Sequence, residues 1–188
     1  MVIPVRLRAS FAAAALVCAL ASSGCLVVSL QPIYDDESVG WDETLVGTWR
    51  NAEDNIEVSI DRAEWRSYRI HYKHPVDTGD FTAYLTTIGD TRYLDLMSER
   101  GHDFGPLLIP AHAVLRLERR GDALSVSLLD YDRLSSIVRR HRRVAGLEMT
   151  MDQKKNVVLT GSTTDLRRWL RSAGEDLFDA PAIFTKVK

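Results

Sequence analysis

The stretch NIEVSIDRAEWRSYRIHYK, residues 55–73, decides the fold class, because apolar and polar side chains alternate along most of it. Its first part places Ile56, Val58 and Ile60 on one face, and the alternation resumes over residues 67–73. Successive side chains of a β-strand point to opposite faces, so this pattern indicates two half-buried strands. We therefore expect one face of each strand to lie against a core.

The same period of two continues along most of the chain. Further alternating segments begin near residues 81, 91, 112, 123, 147, 156 and 182. Gly89-Asp90 separates two of them as a hairpin turn, and Gly121-Asp122 separates another two. Nine or ten short strands at hairpin spacing indicate a mainly β fold, an antiparallel meander that closes into a barrel, and not alternating βα units. We place this β domain at residues 44–188.

Two segments with helical periodicity interrupt the strands, near residues 131–140 and 163–174. In the second segment, apolar residues recur at i, i+3, i+4 and i+7, and they are Leu166, Trp169, Leu170 and Ala173. This spacing predicts an amphipathic helix with one apolar stripe. Thr163 or Thr164 is the expected N-cap, and Gly174 is the expected stop.

The first residues have the order of a secretory signal peptide. Arg6 and Arg8 precede an apolar run over residues 9–21, and three small residues follow at 22–24. As a helix, the run reaches about 20 Å, which is short of the roughly 30 Å of a bilayer core. We predict that residues 1–24 are removed, and a retained membrane span is the alternative.

The small residues Ser22-Ser23-Gly24 stand directly before Cys25, and they resemble the lipobox of bacterial lipoproteins. In that family the cysteine thiol receives a diacylglycerol, so the resemblance implies lipidation of Cys25, palmitate among the acyl chains, and an envelope location. Leu26 follows the cysteine, which implies the outer membrane if the host is Gram-negative. Residues 25–43 are then the lipidated N-terminus and a tether. The alternative for Cys25 is a structural cysteine or half of a disulfide.

Size and charge narrow the possible partners. The 188 residues less the 24 of the signal peptide leave 164, which is enough for one domain. Because Arg6 and Arg8 leave with the signal, 22 of the 24 basic residues remain against 26 acidic ones. This acidic excess predicts no affinity for nucleic acid.

The segment LVGTWR, residues 45–50, contains the pattern G-x-W at the first strand. With Gly47 and Trp49, it resembles the lipocalin and calycin group of β-barrels, in which this tryptophan plugs one end of the barrel. A basic residue of the last strand packs on the tryptophan in that group, which implies Lys186 or Lys188 here. A wider resemblance covers most of the chain, to an uncharacterised group of bacterial lipoproteins with a lipocalin-like body. The similar segments, in chain order, are SLQPIY, YLDL, IPAH, LLDYDRL and LTGSTTDLRRWL. This group has no assigned activity, so the resemblance implies no catalytic residue here.

The residue types that act in catalysis or metal binding in other proteins form no recognisable motif in this chain. The five histidines are His71, His74, His102, His112 and His141. His71 and His74 lie three apart on a strand and point to opposite faces, and no cysteine partner or H-E-x-x-H helix is present. His102 and Asp103 are either a polarised pair in which the histidine acts as a general base, or an ordinary polar turn. For His112 we expect a hydrogen bond to a backbone group. We predict no metal, no cofactor and no enzymatic activity.

Two sets of residues are candidates for binding. Five residues on neighbouring strands are candidate ligand contacts in the barrel interior, and they are Tyr68, Ile70, Tyr72, Tyr84 and Tyr93. The interior is either an apolar pocket with tyrosine hydroxyls that orient a small ligand, or a packed core. The cluster RRHRR at residues 139–143 is the second set. Its arginines, Arg139, Arg140, Arg142 and Arg143, either contact anionic lipid or form a solvated helix end.

These features predict a membrane-anchored lipoprotein that binds a small apolar or amphipathic ligand, or an envelope component. The alternative is a structural or assembly lipoprotein that binds a partner protein through its outer surface and has a solid barrel core. An apolar pocket favours the first function, and a large exposed apolar patch favours the second.

Overall fold

The computed structural model describes residues 26–99, 109–140 and 147–187. The strands are β1 (Val27–Ser29), β2 (Val39–Gly40), β3 (Gly47–Asn51), β4 (Ile56–Arg62), β5 (Ser67–His74), β6 (Asp77–Ile88), β7 (Thr91–Ser98), β8 (His112–Arg120), β9 (Ala123–Leu128), β10 (Met149–Met151), β11 (Val157–Leu159) and β12 (Ala182–Lys186). The α-helices are α1 (Tyr131–Arg139) and α2 (Thr163–Ser172), and short 3₁₀ helices span Glu43–Leu45 and Glu175–Leu177.

Eight of these strands form a closed antiparallel barrel. Strands β3 to β9 pair in chain order, and β12 returns to pair with both β9 and β3. The predicted antiparallel meander that closes into a barrel is therefore confirmed, as are the helices near 131–140 and 163–174. In the stretch 55–73, Ile60 lies opposite Ile70, and both are buried in the barrel interior as the alternation predicts.

A second layer, which we call the flank, covers one wall of the barrel and consists of β1, β10, β11, α1 and α2. Strand β1 pairs in parallel with β11 and antiparallel with β8, so the sheet continues outward from the barrel. Helix α1 packs against β10 and β11, and α2 contacts β6. The buried side chains of the flank form a second core with the outer faces of β6, β7 and β8, which contribute Ile88, Tyr93 and Val114.

Residues 26–43, which we call the N-terminal segment, are not the tether that their composition predicts. The segment forms β1 and β2, and β2 pairs with β6 of the barrel. Ile33 is fully buried, and Val27 belongs to the flank core. The mostly apolar run at residues 26–30 is short, and Pro32 and the acidic run Asp35-Asp36-Glu37 that follow it give the whole segment the composition of a tether. The chain is packed against the body from Leu26 onward.

The ends of the helices follow standard capping chemistry. The Asp130 carboxylate accepts a hydrogen bond from the Arg133 backbone N–H at 2.8 Å and begins α1. The N-cap of α2 is Ser162, whose hydroxyl accepts from the Asp165 N–H at 3.2 Å, so the expectation of Thr163 or Thr164 is wrong by one or two residues. The helix ends at Ser172, close to the predicted stop.

Candidate functional site

One end of the barrel, next to the β4–β5 turn, is plugged by side chains; we call it the plugged end. The Trp41 ring stacks on the Tyr68 ring with centroids 4.5 Å apart and planes within 9° of parallel. The Tyr68 hydroxyl accepts from the Asp42 N–H at 2.7 Å and donates to the Asp42 carbonyl at 3.2 Å. Burial raises the pKa of Tyr68, so its hydroxyl stays neutral. Arg92 pairs with the Asp42 carboxylate at 2.5 Å beside this plug.

The G-x-W pattern has a structural role just inside the plugged end. Trp49 is fully buried, and its indole N–H donates to the Leu45 carbonyl at 2.8 Å. The Lys186 Nζ lies 5.2 Å from the Trp49 ring centroid, which confirms the predicted basic residue on this tryptophan; Lys188 lies outside the described residues. Gly47 has φ +129°, and a Cβ there would lie 2.9 Å from Lys186 Cε. Any other residue at position 47 would be strained by this φ, and the end of the Lys186 side chain would have to move.

Above the plug, the barrel interior contains a cavity of about 80 Å³. It is lined by aliphatic and aromatic side chains from all eight barrel strands, including Ile70, Tyr72, Leu94, Leu124 and Phe184. Lining residues on β6, β8 and β9, among them Phe81, Ala113 and Val126, are only partly buried. The cavity is therefore sealed at the plugged end, while its walls retain some exposure to solvent further along the barrel.

The structure brings three of the five predicted interior residues together. Tyr68, Ile70 and Tyr72 are 0%, 5% and 6% exposed and all point into the barrel. Ile70 and Tyr72 line the cavity, whereas Tyr68 belongs to the plug.

The prediction that Tyr84 and Tyr93 line the interior is wrong. The inward positions of β6 and β7 are Ala83, Leu85 and Leu94, so the neighbouring residues Tyr84 and Tyr93 point outward. The Tyr84 ring stacks on Tyr34 of the N-terminal segment, with centroids 4.3 Å apart, and Tyr93 packs 6.1 Å from Phe178. The physical reason is that the flank and the N-terminal segment cover the outer faces of these strands, so both faces are apolar.

A buried polar network joins the N-terminal segment to the outside of the barrel. The Asp95 carboxylate, which is fully buried, lies 2.6 Å from His112 Nδ1 and accepts the Ile33 backbone N–H at 2.8 Å. His112 therefore has a carboxylate partner and not the backbone partner that we expected. Arg167 of α2 donates to the Ile33 carbonyl at 2.7 Å and to the Ser38 hydroxyl at 3.1 Å. The sequence contains no local signal for these long-range contacts.

This network lacks the geometry of a nucleophilic active site. Ser29 lies opposite His112 in the β1–β8 pairing, but its hydroxyl donates to the Gln31 carbonyl at 2.6 Å. Both Ser29 and Asp95 are fully buried. The network fixes the N-terminal segment in place.

The remaining predicted residues are scattered. His71 pairs with Asp80 at 2.7 Å on the exposed outer face, and across the three described ranges no three metal-ligating side chains gather. Arg139 and Arg140 are exposed at the end of α1. Several predicted residues lie outside the described part of the chain, and they are Cys25, His102, Asp103, His141, Arg142 and Arg143.

The described helices, α1 and α2 included, are too short and too polar for any of them to cross a membrane. Comparisons with protein-family models, with curated proteins and with solved structures find no match for this chain. Its function is therefore inferred from its own residues.

Proposed function

We propose that the chain is an exported lipoprotein, anchored through Cys25 in the cell envelope, whose barrel binds the apolar part of a small molecule. The observation that carries the binding proposal is the apolar cavity of about 80 Å³ inside the barrel. The lipobox-like Ser22-Ser23-Gly24-Cys25 supports the anchor. In a Gram-negative host, Leu26 after the cysteine favours the outer membrane.

The cavity volume limits the ligand class. Pockets that enclose drug-sized molecules have volumes of roughly 300–1,000 Å³, and an engineered cavity of about 150 Å³ binds benzene. At about 30 Å³ for each water-sized group, 80 Å³ holds two or three such groups. The ligand therefore inserts a short alkyl or methyl-bearing end, and the rest of the molecule stays outside the cavity.

The direction of entry follows from the two ends of the barrel. Trp41 and Tyr68 close the plugged end, and Asp42 and Arg92 add a polar pair beside it. The partly exposed side chain of Ala113 lies at the beginning of β8, at the end of the barrel away from that plug. A polar head group on the ligand therefore faces solvent at the end opposite the plug.

The test is a titration of residues 26–188 with straight-chain fatty acids of increasing length. Each methylene that enters the cavity contributes about 0.8 kcal/mol, which is about fourfold in affinity. We expect this increase for two or three carbons and then a plateau, because the cavity is then full. Ala113→Leu fills the cavity and should abolish the increase, whereas Ala123→Leu adds the same atoms to the outer face and should not. Affinity that is equal in both variants would refute the cavity site.

The lipid anchor has its own test. We expect the membrane form of the protein to begin at residue 25 and to carry a diacylglyceryl thioether, as measured by mass spectrometry of its first peptide. Cys25→Ser should abolish the added mass, and Cys18→Ser is the matched control that should retain it. A membrane-bound protein that still begins at Met1 and lacks the lipid would show that the apolar run is itself the anchor.

One observation favours the alternative, a solid barrel that binds a partner protein through its outer surface. Trp65, at the tip of the β4–β5 hairpin, is 85% exposed, and Trp65 and Arg66 have left-handed φ values of 55° and 59°. Bulky residues rarely adopt this conformation, and such strain concentrates at functional positions. Trp65→Ala should reduce cross-linking to an envelope protein, and Val76→Ala, which is 80% exposed at the next hairpin, is the matched control. Equal cross-linking in both variants would exclude Trp65 as the contact.

A further inference from the structure

We propose that the β10–β11 turn, residues 152–156, lies on the membrane surface, and that Lys154 and Lys155 contact anionic lipid headgroups. The proposal rests on the lipid anchor at Cys25 that we propose above, and it adds the face of the protein that meets the membrane. A protein body on a long tether can turn any side towards the membrane. In this chain the position of Leu26 determines which side meets it.

Leu26, the first described residue, is held by the β10–β11 turn. Its backbone N–H donates to Asn156 Oδ1 at 3.2 Å, and its carbonyl accepts the Val157 N–H at 2.9 Å. The parallel pairing of Val27 with Val157 continues this attachment into β1 and β11. The point where the chain leaves the body towards the anchor is therefore the turn itself.

No flexible residues lie between the anchored Cys25 and Leu26, which is bound to this turn. Consecutive Cα atoms are about 3.8 Å apart, so Cys25 lies within one residue step of Leu26. A free tether over residues 25–43 would let the body move up to about 60 Å from the membrane. Because residues 26–43 are packed instead, a lipid on Cys25 holds the flank against the headgroup layer.

The side chains around Leu26 favour an anionic surface. Lys154 and Lys155 are exposed, and Lys155 precedes the Asn156 that contacts Leu26. The one carboxylate of the turn, Asp152, accepts the Asn156 N–H at 2.8 Å and the Asn156 side-chain amide at 2.9 Å, and these bonds lower its pKa. The turn therefore carries one net positive charge, with its carboxylate engaged within the turn.

Helix α1 contributes charges of both signs to the same flank. The Tyr131 hydroxyl at its first residue donates to the Lys155 carbonyl at 2.8 Å, and Asp132 follows as an opposing charge. The helix packs on β10 and β11 and ends about 12 Å further along at Arg139 and Arg140. Those two exposed arginines extend the basic surface away from the anchor. A lysine or arginine near an anionic membrane contributes about fivefold in affinity.

The opposite wall of the barrel supplies an internal reference. The flank is attached to β8, and β4 lies four strands away from β8 in a closed barrel of eight. The β4–β5 turn, which includes Glu64 and Trp65, is therefore on the wall that faces away from the flank. The two turns lie at the same end of the strands, because β1 and β11 run antiparallel to β8, which is parallel to β4. With the flank against the headgroup layer, the β4–β5 turn is separated from that layer by the width of the barrel.

The experiment uses the full chain, expressed in a bacterium and reconstituted from its membranes into vesicles. Gln153→Cys places a fluorophore in the β10–β11 turn, and Glu64→Cys is the matched control on the opposite wall. We expect a quencher fixed in the headgroup layer to remove most of the fluorescence at residue 153 and little at residue 64. Equal quenching at both positions in the membrane-bound protein would overturn the orientation. Recovery of the chain in the soluble fraction would instead refute the proposed anchor.

A second comparison tests the two lysines. In vesicles that contain anionic lipid, Lys154→Glu with Lys155→Glu should reduce the quenching at residue 153, and Lys73→Glu on an exposed part of β5 should not. In vesicles of zwitterionic lipid alone, the charge reversal should have no effect. Quenching at residue 153 that is unchanged by the charge reversal in anionic vesicles would overturn the lysine contact.

Discussion

The barrel interior and the flank core are packed in different ways. The described interior of the barrel is filled by aliphatic and aromatic side chains and still retains a cavity of about 80 Å³. The flank core instead surrounds a fully buried carboxylate, Asp95, with its partner His112, and Arg167 lies beside it. Apolar packing is non-directional and tolerates a void, whereas buried charges require their partners at fixed positions. The barrel is thus the adaptable part, and the flank is the part that fixes the N-terminal segment.

The largest expected effect comes from breaking the polar network of the flank. Asp95→Ala leaves His112 and the Ile33 N–H without their buried acceptor, so the free energy of unfolding should fall by about 3–5 kcal/mol. Asp80→Ala removes the partner of His71 in an exposed pair and should cost at most about 1 kcal/mol. Denaturant unfolding of both variants measures the difference, and equal losses would show that the network is not a stabilising feature.

A smaller effect on stability distinguishes the tightly packed part of the barrel interior from the part beside the cavity. Ala83 is fully buried among its neighbours, so Ala83→Leu should destabilise the fold by about 1–3 kcal/mol through overpacking. Ala113 lines the cavity, so Ala113→Leu should be neutral or stabilise the fold by up to about 1 kcal/mol. Thermal unfolding of both variants distinguishes them. Equal destabilisation would mean that the space beside Ala113 is not available to a side chain.

The smallest expected effect is a pH dependence of the free energy of unfolding, caused by Asp179 where the flank meets β9. Burial, followed by the charges of Asp130 and Asp132, raises the pKa of Asp179 to about 6. The folded protein then binds this proton more tightly than the unfolded chain, so stability rises as pH falls from 7 through 6 towards 4. Asp179→Asn should stabilise the protein by about 1 kcal/mol at pH 7.5, after allowance for solvent screening of a half-buried group, and this stabilisation should decrease as pH falls through 6 and disappear below pH 4.

The control for this pH dependence is Asp90→Asn, in the exposed β6–β7 turn. Denaturant unfolding between pH 4 and pH 8 measures both variants. A stabilisation by Asp179→Asn that is the same at pH 4 and pH 7.5 would contradict the raised pKa.

The architecture of the barrel was predictable from the sequence, because most of its strands, β4 and β5 among them, carry their own period-two pattern. The stretch 55–73 predicts inward Ile60 and Ile70 without any knowledge of their partners, and the structure has both inside. Similarly, Trp49 and Lys186 meet as the G-x-W pattern implies. These features depend on local alternation and on one short motif.

The flank was not predictable in the same way, since its contacts join distant residues. Tyr84 and Tyr93 lie on strands whose two faces are both apolar, so the alternation that assigns inside and outside is lost. Ile33 contacts Asp95 and Arg167, which are 62 and 134 residues away. In the sequence, Val27 belongs to the short, mostly apolar run of residues 26–30 and Ile33 follows Pro32, and only the folded structure shows what buries them.

Ligand binding inside the barrel can be detected in a native mass spectrum of residues 26–188, purified from the export compartment of a bacterium and recorded before and after denaturation. If the barrel binds the apolar part of a small molecule, the native protein should carry a discrete extra mass that is lost on denaturation. Ala113→Leu should lack that mass, and Ala123→Leu should retain it. An identical mass before and after denaturation would contradict the claim and would favour the solid barrel with a partner-binding surface.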